Sequence, residues 1–459
     1  MISKYIGDRT FYRRVFQVAI PIIIQNGITN FVSLLDNIMV GQVGTLPMSG
    51  VSIVNQIIFV FNLCIFGAAS GAGIFTAQFH GSGDDDGIRY TFRFKMLVCL
   101  AITLIAGTLF FFFQNPLINL YLTGNGNAED AAQVLSYGRD YLAIMLWGLL
   151  PFSVANAYAS TLKESEETFV PMIAGVCAVF INLALNYILI FGHFGAPAMG
   201  VRGAALATVI SRYAEFLLVA VWCHRNDDRH PFIRGAYRSL YIPGRLLKTI
   251  TVTGAPLLIN ETLWSLGVAV MNQCYSTCGL DVVPAMNISS TLFNLTSVVF
   301  HSLGVSVGIL MGQMLGAHRP EAEVRDANRK LIAFSVSTGV LFAVLTALLS
   351  GLFPHVYNTT QAVRELAMDL ILISALLMPF QSFANATYFT LRSGGKTFIT
   401  FLFDSGFMWV CGVSTAFLLS RFTDLPILPL YAICQVPDIL KCVLGSIMLK
   451  KGSWIQYLS

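Results

Sequence analysis

The stretch ANAYASTLKESEETF (155–169) returns in the second half of the chain as ANATYFTLRSGGKTF (384–398). A second pair of segments, SGAGIFTAQFHG (70–81) and VSVGILMGQMLG (305–316), recurs in the same order. The proline of the first apolar run, Pro21, also has a counterpart, Pro256. The chain is therefore predicted to contain the same structural block twice. The repeated positions include Asn156 and Asn385, Thr161 and Thr390, Thr168 and Thr397, Gln78 and Gln313, and Gly81 and Gly316.

The composition indicates an integral membrane protein. The 459 residues are 55% hydrophobic and only 11% charged, which excludes an ordinary soluble domain. Twelve apolar runs are long enough to cross a hydrocarbon core that needs roughly 20 residues. We therefore predict an all-α fold with twelve transmembrane helices. Two six-helix repeats are expected to flank a central cleft, an arrangement typical of secondary transporters.

The boundaries of the predicted lobes follow from the one substantial polar linker. It spans 225–245, is charged and contains Pro231, Gly235, Pro243 and Gly244. The N-lobe is predicted at 13–224 and the C-lobe at 246–450, with six helices each. Most of the 28 Lys and Arg residues fall in this linker, near the termini and in loops on the same side. The positive-inside rule then predicts that both termini and the linker are cytoplasmic.

Polar side chains that recur every three or four residues mark one face of the first predicted span. An ionisable group at mid-bilayer costs about 2.5–3.5 kcal/mol on insertion scales, so the carboxylate of this stripe requires a function or a partner. We expect the stripe to face a water-filled cavity; the alternative is a hydrogen-bonded seam between helices without a role in transport. Its members are Gln25, Asn26, Thr29, Asn30, Ser33, Asp36 and Asn37.

Two amides in the predicted fifth span complement this carboxylate. Asn182 and Asn186 are four residues apart and therefore share a helix face. If they reach Asp36, they can hold its carboxylate or help coordinate a small cation. In isolation, the same pair would be an ordinary helix-packing contact.

A second polar site is predicted in the other half. Glu261 and Asn260 lie in the seventh span, and Asn287 and Asn294 lie on one face of the eighth. The alternative is a structural Glu261 whose carboxylate is satisfied by these amides. Lys441 is three residues from Asp438 and is predicted to neutralise it, whereas Asp404 has no partner nearby in sequence.

Several short segments, taken together and in order, resemble the MATE family of multidrug and toxic compound extrusion antiporters over about 13–450. In the first half they are AIP (19–21), LLDNIMVGQVG (34–44), AQFHG (77–81), and NLALNYILIFG followed by MGVRGAALAT (182–208). In the second half they are GAPLLINETLW (254–264), GQMLGAHRPEAEVRDANR (312–329) and TLRSGGKT (390–397).

The resemblance implies a V-shaped pair of six-helix lobes that export cationic, amphipathic compounds in exchange for inward Na⁺ or H⁺. Asp36 matches the cation-responsive first-span acid of the family, and Asn182 matches its span-five amide. Asn186 stands where many members have a second acid, so this site has one fewer negative charge. Glu261 lies nearly one turn earlier than the span-seven acid of the family branch that has a C-lobe cation site.

The sequence thus predicts a secondary active antiporter for drugs, toxins or metabolites in the cell inner (plasma) membrane. Na⁺ or H⁺ is the expected coupling ion, with Na⁺ at Asp36 as the only metal considered and no other cofactor. The expected partners are small organic substrates, often cationic, and the lipid bilayer. We expect no nucleic-acid partner, and we expect the protein to be a monomer. The sequence shows no catalytic constellation, so we predict no enzyme activity. The alternative function is a lipid-linked precursor flippase of the same superfamily.

Overall fold

A computed structural model of the chain describes residues 5–122, 128–279, 281–357, 359–423 and 425–458. Within these residues the regular structure is entirely helical, and twelve helices are long and apolar enough to cross a membrane. This confirms the predicted fold class. In chain order the helices are α1 Arg9–Gly41, α2 Thr45–Ser82, α3 Asp85–Phe112, α4 Glu129–Glu164, α5 Phe169–Phe191, α6 Val201–Arg225, α7 Gly244–Ser276, α8 Val282–Gly316, α9 Glu321–Leu349, α10 Gln361–Ser393, α11 Thr397–Phe422 and α12 Ile427–Lys451.

The helices form in long apolar segments, because a helix lets the backbone N–H and C=O groups of such a segment hydrogen-bond to each other in lipid. They contain 23 to 38 residues, with mean hydropathy of 1.2 to 2.2 in their most apolar windows. A bilayer core offers no water to unpaired backbone groups, so helices are the stable solution for such runs. The repeated prolines Pro21 and Pro256 lie inside α1 and α7, where Pro removes one backbone hydrogen bond and permits a bend.

The two halves repeat the same helix neighbours. In the first half α3 packs against α4, α4 against α6, and α5 against α6; in the second half α9 packs against α10, α10 against α12, and α11 against α12. The first half has an apolar core that includes Val54, Ile65 and Leu142. The second half has apolar clusters around Met311 and Leu370. The sequence repeat therefore corresponds to a repeated pattern of helix–helix packing in the two halves.

By contacts, the chain separates into two compact units. One comprises 24–76 and 84–251, and the other comprises 1–23, 77–83 and 252–459. The second unit thus includes the beginning of α1 and the end of α2. Within it, the Arg14 guanidinium donates to Gln313 Oε1 at 3.1 Å, and Gln78 Nε2 donates to the Ser393 carbonyl at 3.0 Å. The division into lobes at 13–224 and 246–450 stays a prediction.

Two repeated glycines explain how the end of α2 fits against the end of α8 within that unit. A Cβ on Gly81 would lie 2.1 Å from the Gln313 carbonyl oxygen, and one on Gly316 would lie 1.8 Å from the Gln78 carbonyl oxygen. Only a residue without a side chain permits such backbone approach. The contact is reciprocal, because each repeat's glycine meets the other repeat's glutamine.

The segment between the halves is folded onto α3. It contains a short 3₁₀ turn, Pro231–Ile233, in which Phe232 and Ile233 are buried. The Arg93 guanidinium donates to the carbonyls of Gly235, Ala236 and Tyr241 at 2.8, 2.8 and 2.9 Å. The backbone carbonyls of the linker therefore bind the Arg93 side chain, which attaches the linker to α3.

Candidate functional site

Asp36 lies near the end of α1 and meets the two amides of α5. Asn186 Nδ2 donates to Asp36 Oδ1 at 2.7 Å and lies 3.1 Å from Asn182 Oδ1. Both asparagines are buried, with 6% exposure for Asn182 and 2% for Asn186. The structure thus brings together all three residues of the predicted cation site. One hydrogen-bond donor to the carboxylate is thus a neutral amide.

The hydrogen-bond chain continues from α5 into α6. Asn182 Nδ2 donates to Thr208 Oγ1 at 3.2 Å, and the Thr208 hydroxyl donates to the Ala204 carbonyl at 3.0 Å. Thr208 lies in the MGVRGAALAT segment but was not predicted as a site residue. Thr208 also shares a side-chain hydrogen bond with Tyr141, so its bonds to Ala204 and Tyr141 fix Thr208 and through it help to orient both amides.

The remaining stripe on α1 packs against α5 through a glycine. A Cβ on Gly175 would lie 2.6 Å from Gln25 Nε2, so the glycine makes room for the long amide side chain. Thr29 and Ser33 donate their hydroxyl hydrogens to the carbonyls of Gln25 and Thr29 on their own helix, at 2.8 and 2.9 Å. The side chain of Asn37 lies outside the described part of the chain. The stripe therefore combines a helix-packing contact at Gln25 with a carboxylate site at Asp36.

The second half contains a different carboxylate site, centred on Asp404 of α11. Lys441 Nζ of α12 donates to Asp404 Oδ1 at 2.6 Å, and Asn260 Nδ2 of α7 donates to Asp404 Oδ2 at 3.1 Å. The Asp404 and Lys441 side chains are only 19% and 13% exposed. An ion pair with an additional hydrogen bond satisfies a poorly solvated carboxylate. The charge of this acid is therefore neutralised within the protein.

Local geometry at α11 explains how Asp404 reaches α7. Residues Leu402–Gly406 and Met408–Val413 form π-helical turns, which widen a helix and often occur at functional sites. Within the first turn, Ser405 N–H donates to Asn260 Oδ1 at 3.2 Å and its hydroxyl donates to the Asn260 carbonyl at 2.8 Å. Asn260 is thus fixed at its amide and at its backbone.

Glu261 is attached to the same cluster through Tyr388. The Tyr388 hydroxyl is 3.5 Å from Glu261 Oε1, and Asn260 Nδ2 lies 3.3 Å from the same hydroxyl. Asn287 and Asn294 are exposed on α8. Among the described residues, the structure records no hydrogen bond between either of these two amides and Asn260 or Glu261. The structure therefore gathers two of the four residues predicted for this site, and adds Tyr388, Asp404 and Lys441.

The prediction that Lys441 neutralises Asp438 needs correction. The Lys441 ammonium forms its ion pair with Asp404, and Asp438 accepts from Gln381 Nε2 at 3.3 Å while interacting with Lys441 only through longer-range electrostatics. Sequence reasoning pairs charges three or four residues apart, whereas Asp404 and Lys441 meet across two helices. The signal that marked Asp404 was its lack of a partner nearby in sequence.

Comparison with known proteins identifies the family of this fold. The MatE family model matches residues 21–188 and 256–418. The chain is 23% identical over 449 residues to the probable multidrug resistance protein NorM of Thermotoga maritima, a match that covers 96% of this chain and 93% of that protein. It is 25% identical over 437 residues to the probable multidrug resistance protein YoeA of Bacillus subtilis, with coverage of 93% and 91%.

Solved structures agree on the fold. A crystal structure of a mutant of the Vibrio cholerae MATE transporter VcmN superposes with a TM-score of 0.85 at 17% identity, covering 97% of this chain and 98% of that one. An outward-facing multidrug resistance MATE transporter of the MOP superfamily gives a TM-score of 0.84 at 16% identity, covering 98% of each chain. The matched segments of the family model span most of both halves, so this chain belongs to the MatE family of membrane transporters.

Proposed function

We propose that this protein is a secondary active antiporter that exports cationic or amphipathic organic compounds in exchange for inward H⁺ or Na⁺. The observation that supports the proposal best is the Asp36 site, where an acid within a transmembrane helix accepts from the neutral amide of Asn186 at 2.7 Å, and Asn182 bonds in turn to Asn186. The Asn186 amide donates to the carboxylate without cancelling its charge, and in this proposal that charge serves an exchangeable cation. The multidrug resistance names of its relatives support drug export over the flippase alternative.

The proposed coupling is competition at Asp36. When the site faces the outside, H⁺ or Na⁺ binds the carboxylate, removes its attraction for a cationic substrate and favours release. When the site faces the cytoplasm, the coupling ion leaves and the restored negative charge attracts the next substrate. Exchange follows because the two ligands cannot neutralise the same charge at once, and differential binding drives the conformational equilibrium.

The roles of the amides differ for the two candidate ions. Proton coupling requires only that Asp36 gain and lose a proton while the amide of Asn186 remains near it. Na⁺ coupling requires oxygen ligands, and the carbonyl oxygens of Asn182 and Asn186 can supply them beside the carboxylate, because hard cations prefer oxygen. Replacing each asparagine by leucine is therefore expected to impair Na⁺-driven exchange more than H⁺-driven exchange.

The test is efflux of a fluorescent organic cation from proteoliposomes, with Na⁺ and pH gradients imposed one at a time. One gradient is expected to drive export by the unmodified protein, and Asp36→Asn is expected to abolish that response. Asp140→Asn is the matched control, because Asp140 is a half-exposed acid of α4 paired with Arg202 at 3.1 Å. An export rate that is independent of both gradients would refute antiport. Normal export by the Asp36 variant would refute the role of Asp36 as the coupling carboxylate.

A further inference from the structure

A cavity of about 550 Å³ opens in the second-half unit, away from both carboxylate sites. Its walls come from α9, α10 and α12, with Trp454 from the segment after α12 and Tyr5 from the start of the chain. The volume lies within the usual range of small-molecule sites. No residue of the proposed transport machinery lines it.

The lining changes from basic to apolar along α9. Arg325, Arg329, Ile332 and Val336 all line the cavity, and their spacing of four, three and four residues places them on one helix face. From Arg325 to Val336 the helix rises roughly 16 Å at 1.5 Å per residue. That distance is about half of a 30 Å hydrocarbon core, or the depth of one leaflet. Phe383 and Leu449 complete the apolar part from α10 and α12.

The rim carries three basic side chains, and the described part of the chain records an ion pair for Arg325 alone. Arg325 is structural, since it pairs with Glu321 at 2.6 Å and donates to the Lys450 carbonyl at 2.8 Å. Arg329 and Lys450 are both exposed. Within the described ranges, neither is recorded in an ion pair. Two basic side chains thus lie at the mouth of a groove that continues between apolar side chains toward Val336.

We propose that this groove binds one anionic phospholipid, with its phosphate between Arg329 and Lys450 and an acyl chain along Ile332, Val336 and Phe383. Charge complementarity selects the head group, since basic pockets between transmembrane helices attract acidic lipids. The apolar side chains beyond the basic rim can accommodate part of an acyl chain, which a small soluble anion does not need. The lipid would bridge α9, α10 and α12 at the end where Arg325 already joins α9 to α12. This proposal does not depend on the coupling mechanism at Asp36.

The test uses the full-length protein in nanodiscs of mixed phosphatidylglycerol and phosphatidylcholine, with retained lipids counted by native mass spectrometry. The unmodified protein is expected to retain one phosphatidylglycerol in preference to phosphatidylcholine. Each basic residue strengthens association with an acidic lipid about fivefold, so Arg329→Gln with Lys450→Gln is expected to weaken retention about twenty-five-fold. Arg245→Gln with Lys248→Gln is the matched control: both residues are exposed, lie outside the cavity and carry the same total charge.

A second variant tests the apolar part of the groove. Ala333→Trp narrows the cavity without changing its charge, and is expected to reduce retention of both lipids. Equal retention of the two lipids by the unmodified protein, or normal phosphatidylglycerol retention in the Arg329 and Lys450 double variant, would overturn the proposal. Displacement of the lipid by millimolar inorganic phosphate would identify a small-anion site instead. Thermal unfolding of each variant shows whether it remains folded.

Discussion

The two halves of the molecule share a scaffold but treat their buried acids in opposite ways. Asp36 in the first half accepts from the neutral amide of Asn186 at 2.7 Å. Asp404 in the second half accepts from the Lys441 ammonium at 2.6 Å and from Asn260 at 3.1 Å. The second arrangement supplies a cation from the protein, whereas under the proposed function the charge of Asp36 serves a mobile cation. Duplication therefore preserved the packing while the chemistry diverged.

The largest effect on stability is expected from breaking the internal ion pair. Lys441→Met would leave Asp404 poorly solvated and without its cation, which typically destabilises a fold by about 3–5 kcal/mol. Thermal unfolding in detergent measures the loss. The double variant Lys441→Met with Asp404→Leu is expected to recover most of it. If the single variant is as stable as the unmodified protein, Lys441 does not neutralise Asp404 in the way proposed.

The reciprocal glycines test whether the scaffold is symmetric. Gly81→Ala and Gly316→Ala each place a Cβ within 2.1 Å of a backbone carbonyl oxygen, and are expected to cost about 2–3 kcal/mol through forced backbone movement. Gly27→Ala is the matched control, because nothing lies within 4 Å of its added Cβ. Yields of folded protein and unfolding temperatures compare the three. A large loss at only one of the two repeated glycines would contradict the symmetric reading.

A second carboxylate at the Asp36 site would increase the difference in net charge between this site and the Asp404 site. Asn186→Asp adds a negative charge beside Asp36 and is expected to strengthen coupling-cation binding about tenfold, or about 1.4 kcal/mol. The measurement is the Na⁺ or H⁺ concentration that gives half-maximal export. Asn260→Asp, beside the neutralised Asp404, is the comparison variant and is expected to leave that concentration unchanged. An equal change in both variants would argue against a dedicated site at Asp36.

The smallest effect is expected from the Thr208 hydroxyl, which accepts from the Asn182 amide of the first-half site. Thr208→Val removes the acceptor of the Asn182 amide at 3.2 Å, a loss of about 1 kcal/mol. Because this hydroxyl orients both amides, export is expected to fall a few-fold. Ser405→Ala removes a hydroxyl of the second cluster and should leave export unchanged. Initial rates of efflux from proteoliposomes compare the two variants. A larger loss of export in Ser405→Ala than in Thr208→Val would indicate that the Asp404 cluster, and not the Asp36 site, takes part in export.

Helical periodicity predicted which residues share a face of one helix, but it did not predict which residues contact each other across different helices. The twelve spans follow from the lengths of the apolar runs, the repeat from matching segments, and the shared face of Asn182 and Asn186 from their spacing of four residues. Asp404 and Lys441 are on different helices, and the π-helical turns that direct Asp404 toward Asn260 have no periodic signature. Thr208 was missed for the same reason, since an isolated threonine in an apolar helix is common. Asn287 and Asn294 share a face of α8, but a shared face does not specify what it contacts.

The central claim is that Asp36 exchanges its cation while Asp404 has a fixed one. The most direct measurement is the initial rate of gradient-driven export of a fluorescent cation by proteoliposomes that contain equal amounts of folded protein. Asp36→Asn is expected to reduce the rate at least a hundredfold, whereas the charge-neutral replacement Asp404→Asn with Lys441→Gln is expected to retain at least half of it. Normal export by Asp36→Asn, or complete loss in the double variant alone, would contradict the account.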